Sequence, residues 1–115
     1  MPTCFLETSA PKNVEAEKAF CIAASAKSAE MTNKPEAYVM TKATSGVTMT
    51  FAGSFDPCAN IRICCIGMDQ GVHNNFAAEM TALVTEHFGV PGDRVFIEFK
   101  APQGADYAHN GNTFA

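Results

Sequence analysis

Twice along its length this chain passes through the same series of signals, and that repetition limits its fold more than any other feature. A short apolar stretch, "TCFLE" (3–7), reads as a strand. "PKNVEAEKAFCIAASAKSAEMT" (11–32) follows, rich in Ala, Glu and Lys, with Val14, Phe20, Ala23, Ala24, Ala26 and Met31 roughly along one helical face. Asn13, or Ser9 a little earlier, is placed to cap that helix, with Pro11 near its first turn. "NKPEA" breaks it before a strand at "YVMTKA" (38–43). The second half repeats the order. "NIRICCIGM" (60–68) is strand-like and "QGVHNN" turns the chain. In "FAAEMTALVTEHFG" (76–89), Phe76, Met80, Leu83, Val84 and Phe88 are in helical register, with Gly89 as C-cap. "VPGD" then precedes the alternating strand "RVFIEFK" (94–100).

Parallel strands need a crossover connection, and a helix supplies it. Two such units side by side predict an α/β (α+β) fold: a four-stranded mixed sheet with both helices on one face. The expectation is a single domain over 1–115, built of pseudo-duplicated βαβ halves at about 1–56 and 57–115. Between the halves, Val47, Met49 and Phe51 alternate in "TSGVTMTFAGSFDPCA", which predicts a short edge strand. Exposed sheet edges and a tail carrying Tyr107 and Phe114 point to self-association.

A net charge of −4 with scattered basic residues argues against nucleic acid as partner and against a polybasic membrane patch. No apolar run reaches membrane-spanning length and no leader pattern opens the chain, so cytoplasmic residence without membrane insertion is the expectation. Cys4, Cys21, Cys58, Cys64 and Cys65 form an odd set without a CxxC pair. They read as reduced thiols, mostly small core residues, with Cys64 and Cys65 pointing to opposite faces of a strand. His73, His87 and His109 lack the spacing of metal ligands, and neither metal nor cofactor is expected.

The first residues, "MPTCFLE", place a proline just before a strand. The first position of a strand tolerates proline, which has no N–H to give a ladder. Alternatively, Met1 is removed, as a small or proline second residue generally permits, and Pro2 becomes a free secondary amine.

Pro2, "NKPEAYV" (33–39), "TFAGSFDPCA" (50–59), "IGM" (66–68), "DRVFIEF" (93–99) and "NTFA" (112–115) occur in the order and spacing of the macrophage migration inhibitory factor (MIF) family, which the chain resembles over nearly its whole length. The resemblance implies a homotrimer with sites at subunit interfaces. It further implies keto–enol tautomerase activity on phenylpyruvate-like acids and dopachrome-type compounds. Some members are secreted cytokines, which would imply release by a route that needs no signal peptide, and a cell-surface receptor. The family's base maps onto Pro2, its cationic pocket residue onto Lys34 and its backbone contact onto Ile66. Phe96 and Glu98 map onto positions lent by the neighbouring subunit.

Enolising an α-keto acid requires a base poised near neutral pH, a group to hold the carboxylate, and polarisation of the carbonyl. A free α-amino group starts at a pKa of roughly 7.7 to 8. An apolar pocket, expected from Ile66, Phe96, Tyr107 and Phe114, disfavours the ammonium, and the cationic Lys34 lowers the value further. Lys34 would hold the carboxylate as a point charge.

Three features depart from the better-known vertebrate members. Phe96 lacks a tyrosine hydroxyl, Glu98 replaces a neutral amide, and His109 stands where tryptophan is frequent, with Tyr107 near it replacing an aliphatic. The pocket is therefore expected to be more polar, with Glu98 opposing an anionic substrate if it points inward. The family's CxxC reads here Cys58-Ala59-Asn60-Ile61, so thiol–disulfide activity is not expected. The alternative to an enzyme is a cytokine-like binding protein whose pocket is a recognition feature. Dehalogenation or hydration by an N-terminal proline would call for an arginine-rich pocket, and Arg62 and Arg94 are the only arginines.

Overall fold

Strand β1 (Thr3–Thr8) lies inside the sheet, parallel to β2 (Met40–Thr44) on one side and antiparallel to β3 (Ala59–Cys64) on the other. β4 (Val95–Lys100) extends the sheet parallel to β3, giving the order β2-β1-β3-β4 in a computed structural model that describes residues 1–115. Each parallel pair is joined by a helix, α1 (Val14–Thr32) and α2 (His73–Phe88), and the helices pack on each other and on the same side of the sheet. The doubled strand–helix–strand pattern is thus realised as two crossovers side by side.

Alternation along the strands sorts their residues. Cys4, Leu6 and Thr8 of β1, and Ala59, Ile61 and Ile63 of β3, are buried beneath the helices. Thr3, Phe5, Glu7, Arg62, Phe96, Glu98 and Lys100 belong to the opposite, uncovered face. On α1 the buried residues are Phe20, Ala24 and Ser28, a row four residues apart, and on α2 they are Phe76, Met80 and Val84. Small residues at 24 and 28 allow α1 to approach the sheet closely. Val14 and Ala26, expected on the buried face, are exposed instead, because the contact is one narrow row rather than a broad stripe. Ser28 buries its hydroxyl beside Cys4, and burial pushes the Cys4 thiol up to about 12. All five cysteines are free thiols; Cys65 is buried and Cys64 half-buried on the other side of the strand line.

The helix ends follow their residues. Asn13 Oδ1 accepts from the Ala16 N–H at 3.0 Å, and Glu15 and Glu17 sit in the positive first turn. Asn33 closes α1 in the left-handed region at φ 56°, and the Lys34 N–H donates to the Ala29 carbonyl at 3.2 Å. α2 closes on Gly89 at φ 70°. It begins at His73, three residues before the expected start at 76, because Asp69 caps the 3-10 turn of Gln70–Val72 that leads into it. The strand expected from Tyr38 starts at Met40, since Glu36–Tyr38 winds into a 3-10 turn after Pro35. The strand expected through Met68 ends at Cys64, and Gly67 at φ 69° turns the chain beyond it.

The edge strand expected around Val47, Met49 and Phe51 does not form; only an isolated bridge joins Phe51 and Ser54. Ala52 and Gly53, at φ 54° and 73°, reverse the chain. No strand of the chain lies beside this segment to pair with it, and Arg94 holds the loop that follows. Its guanidinium donates to the carbonyls of Phe51, Ser54, Asp56 and Pro57 at 2.9 to 3.2 Å and lies 5.1 Å from the Phe51 ring centroid. The tail folds as a two-stranded hairpin of β5 (Ala108–His109) and β6 (Asn112–Thr113), turning on Asn110-Gly111, both at positive φ.

One ionic cluster ties the start of α1 to the end of β2. The Glu17 carboxylate accepts from Ser45 Oγ (2.6 Å), the Ser45 N–H (2.9 Å) and Lys12 Nζ (2.9 Å). These bonds, Ser45's hydroxyl first, lower the Glu17 pKa from 4.5 to about 2. A carboxyl depressed on folding stabilises above its unfolded value and loses that contribution as pH falls through the folded one. Glu17→Gln is therefore expected to cost about 1 to 2 kcal/mol in urea unfolding at pH 7. The difference from the unmodified protein should vanish as pH is lowered from 4.5 towards 2, and a difference unchanged with pH would count against the cluster.

Candidate active site

Pro2 directly precedes the inner strand, so the fold carries the amino end of the chain to the middle of one edge of the sheet. Its side chain is buried, and its carbonyl accepts from the Met40 N–H at 3.1 Å. Thr3 is the first residue with ladder bonds on both sides, so proline's missing N–H leaves no gap. Met1 covers the Pro2 nitrogen, which in this form is an amide.

Around that end three segments converge. The left-handed turn at Asn33 delivers Lys34 and Pro35, and the 3-10 turn delivers Tyr38. The stretch after β3 supplies Ile66, and the tail folds back with Phe114. Met1, Lys34, Pro35, Tyr38, Ile66 and Phe114 line a cleft of about 310 Å³. A second cleft, of about 420 Å³, lies on the other side of Met1 and Tyr38 and includes Tyr107 and His109. The aromatic rings knit the two together. His109 meets Tyr38 edge-on at 5.6 Å and stacks near Phe114 at 6.5 Å, and Tyr107 lies 6.4 Å from Phe114. The Phe114 N–H donates to the carbonyls of Gly104 and Tyr107, each at 3.0 Å, which pins the tail in place.

Two polar groups at this site have no partner within the chain. The Lys34 ammonium makes neither ion pair nor hydrogen bond, and the Ile66 N–H makes no hydrogen bond. A free cation and a free donor beside an apolar wall suit a small, partly apolar anion. No group of three or more His, Cys, Asp or Glu side chains is placed to hold a metal ion.

Of the residues expected from sequence, Pro2, Lys34, Ile66, Tyr107, His109 and Phe114 are thus brought together. Phe96 and Glu98 do not join them in the same way. Phe96 is 65% exposed on β4 and packs on Phe51 at 4.9 Å. It is no wall of its own chain's N-terminal cleft. Glu98 pairs with Arg62 across β3 and β4 and lines a larger cleft of about 490 Å³ on the uncovered sheet face, shared with Tyr107. The larger volume does not make that cleft the better candidate. The smaller one holds the chain end, the free ammonium and the free N–H. Tyr38 was missed by sequence reasoning, because its β-prone neighbours Val39 and Met40 disguised the turn after Pro35. The proline itself was the available signal.

The description "Macrophage migration inhibitory factor (MIF)" belongs to a family model that matches residues 1–115. The chain belongs to the MIF family. With it comes membership of the tautomerase superfamily, and the family suggests oligomeric assembly. A MIF homolog of Brugia malayi is 35% identical over 115 residues, covering 99% of each chain. MIF of Rattus norvegicus is 29% identical over 116 residues, covering both chains in full. Among solved structures, a MIF homologue from Prochlorococcus marinus superposes with a TM-score of 0.93 at 30% identity, covering 98% of this chain and 99% of that one. No helix is long and apolar enough to cross a membrane.

Arg94 is the main side chain on which the 51–57 loop, and through Phe51 the seat of Phe96, is organised, with Ser54 Oγ accepting from the Asp56 N–H at 3.0 Å. Arg94→Met is expected to cost about 1 to 3 kcal/mol, because four carbonyls lose a charged donor. Limited proteolysis should then cut within residues 51–57 first; unchanged protection there would show that the loop holds itself.

Proposed function

We propose that this MIF-family chain is a cofactor-free keto–enol tautomerase acting on phenylpyruvate-like or dopachrome-type compounds, with Pro2 as its base once Met1 is removed. The observation that carries the reading is that the residue to be uncovered sits where a free lysine ammonium, a free backbone N–H and an aromatic wall meet. Met1 lines both clefts, so its removal would join them and open the Pro2 nitrogen to the Lys34 side and the Tyr107 side together.

In this reading Lys34 holds the substrate carboxylate. The neutral Pro2 amine takes a proton from the carbon next to the carbonyl. The electron pair of the broken C–H bond forms the C=C bond as the carbonyl π pair moves onto oxygen, where the Ile66 N–H can donate. The proton then passes from the prolinium to that oxygen, giving the enol and restoring the amine. Tyr38, Phe114, Tyr107 and His109 flank the ring of the substrate and limit access of water. We propose further that the protein acts as a homotrimer in which Phe96 and Glu98 are lent to a neighbour's site. The exposure of Phe96, a large apolar side chain with no cover in its own chain, supports that.

A second reading follows from the name of the relatives, which describes an effect on macrophage migration. The chain would then be a cytokine-like ligand with weak turnover. Phe96 and Glu98, lacking a phenol and a neutral amide, favour it.

Mass spectrometry of the natural protein is expected to find Pro2 at the amino terminus. Pro2→Gly, or a form retaining Met1, should lower kcat/KM for phenylpyruvate enolisation about a hundredfold or more without dissociating the assembly. Unchanged turnover in either would reject Pro2 as base. In the unmodified protein kcat/KM should rise with pH through the titration of the amine, since only its neutral form accepts a proton. Lys34→Ala should raise KM about tenfold with a smaller effect on kcat, and a KM left as it was would remove Lys34 from substrate binding.

A further inference from the structure

β3 and β4 run parallel with Arg62 opposite Glu98, and the two side chains meet on the uncovered face, Nε to Oε1 3.6 Å apart. Both are largely exposed, at 69% and 53%, so the pair does little for stability. Its position is more telling. The pair lines the cleft of about 490 Å³, whose wall includes Thr3, Phe5 and Tyr107, and the same three residues line the second cleft, of about 420 Å³, which shares Met1 and Tyr38 with the cleft of Lys34 and Ile66. The Arg62–Glu98 pair therefore sets the potential of a space that leads through the second cleft to the Met1 end of its own site, and, in the proposed trimer, of the neighbour's site to which Glu98 is lent.

The third charged residue of that cleft is Lys100, which lies on the same face as Glu98, two residues further along β4. Arg62, Glu98 and Lys100 together carry one positive charge, two cations against one anion. Removing Arg62 alone leaves the cleft neutral and Glu98 unpaired. Removing Arg62 and the Glu98 charge together returns it to one positive charge, carried by Lys100. Lys42, over the Phe5 ring at 4.1 Å, is spoken for on the far side of β1.

We infer that Arg62 is a specificity-determining residue that masks the Glu98 carboxylate and so lets the site that Glu98 borders accept anionic substrates. The inference rests on the proposed reaction for its substrate class but acts at binding, through charge rather than chemistry. It changes the meaning of Glu98: an acidic residue that by itself would repel a carboxylate is half of a neutral pair.

The test is equilibrium binding of 4-hydroxyphenylpyruvate and of its uncharged methyl ester, followed by NMR titration at low ionic strength. Four proteins are compared: unmodified, Arg62→Ala, Glu98→Gln and the double variant, with Arg62→Lys as a control that keeps the charge. Arg62→Ala is expected to raise the Kd of the acid about three- to tenfold and that of the ester less than twofold. The double variant and Arg62→Lys should restore the acid's affinity, and Glu98→Gln should match or exceed it. The effect should shrink in 0.5 M salt. Equal changes for acid and ester, no change for either, failure of the double variant to rescue, or an acid that does not bind the unmodified protein would each overturn the inference. Turnover assayed beside binding separates the two readings: activity unaffected by Pro2→Gly refutes the proposed base, while the acid–ester difference still decides the role of Arg62.

Discussion

The structure depends on β1 being paired on both sides while beginning at the third residue of the chain. A strand bonded to two neighbours has no freedom to shift, and here its parallel partner β2 and antiparallel partner β3 fix it in register over Thr3–Glu7. Proline at position 2 fits this constraint because it has one carbonyl to offer and no N–H to lose; that carbonyl is used by Met40. A chain end is usually mobile. In this fold the sheet holds it still, amid side chains drawn from three distant segments.

The charge arrangement follows from the one-sided layering. The helices cover one face of the sheet, setting Phe20, Phe76 and Met80 against Leu6, Ile61 and Ile63, and nothing within the chain covers the other. The uncovered face is therefore where strand residues can be charged without a desolvation penalty. Lys42, Arg62, Glu98 and Lys100 all lie there, on three neighbouring or near-neighbouring strands. Tyr107 joins this face to the second cleft beside Met1, so the electrostatics of the sheet reach the border of the candidate site.

Much of this was legible in the residues. The doubled strand–helix–strand order led to the four-stranded sheet, because hydrophobic period and proline breakers are local signals that the tertiary fold did not override. Gly89 and Asn13 did what their chemistry suits them to do. The middle segment was misread: Val47, Met49 and Phe51 alternate like a strand, but a ladder needs a partner, and no strand of this chain lies beside them. The burial of Ser28 was equally hidden, since serine on a helix reads as solvent-facing. At the site, Pro2, Lys34, Ile66, Tyr107, His109 and Phe114 were readable only through resemblance to a family. Tyr38 and the Arg62–Glu98 register depended on a turn and a strand pairing that no short motif encodes.

The near-repetition of the two halves has one further outcome. Cys58 stands immediately before β3 as Pro2 stands immediately before β1, and it is likewise buried. The two corners are counterparts in the scaffold, yet an interior residue presents an acylated nitrogen whatever side chain it bears. The repeated architecture therefore carries no repeated reactivity of the kind that needs an open backbone amine, and the second corner is instead tied in place, its N–H donating to Ser9 Oγ and its carbonyl accepting from Thr8 Oγ1.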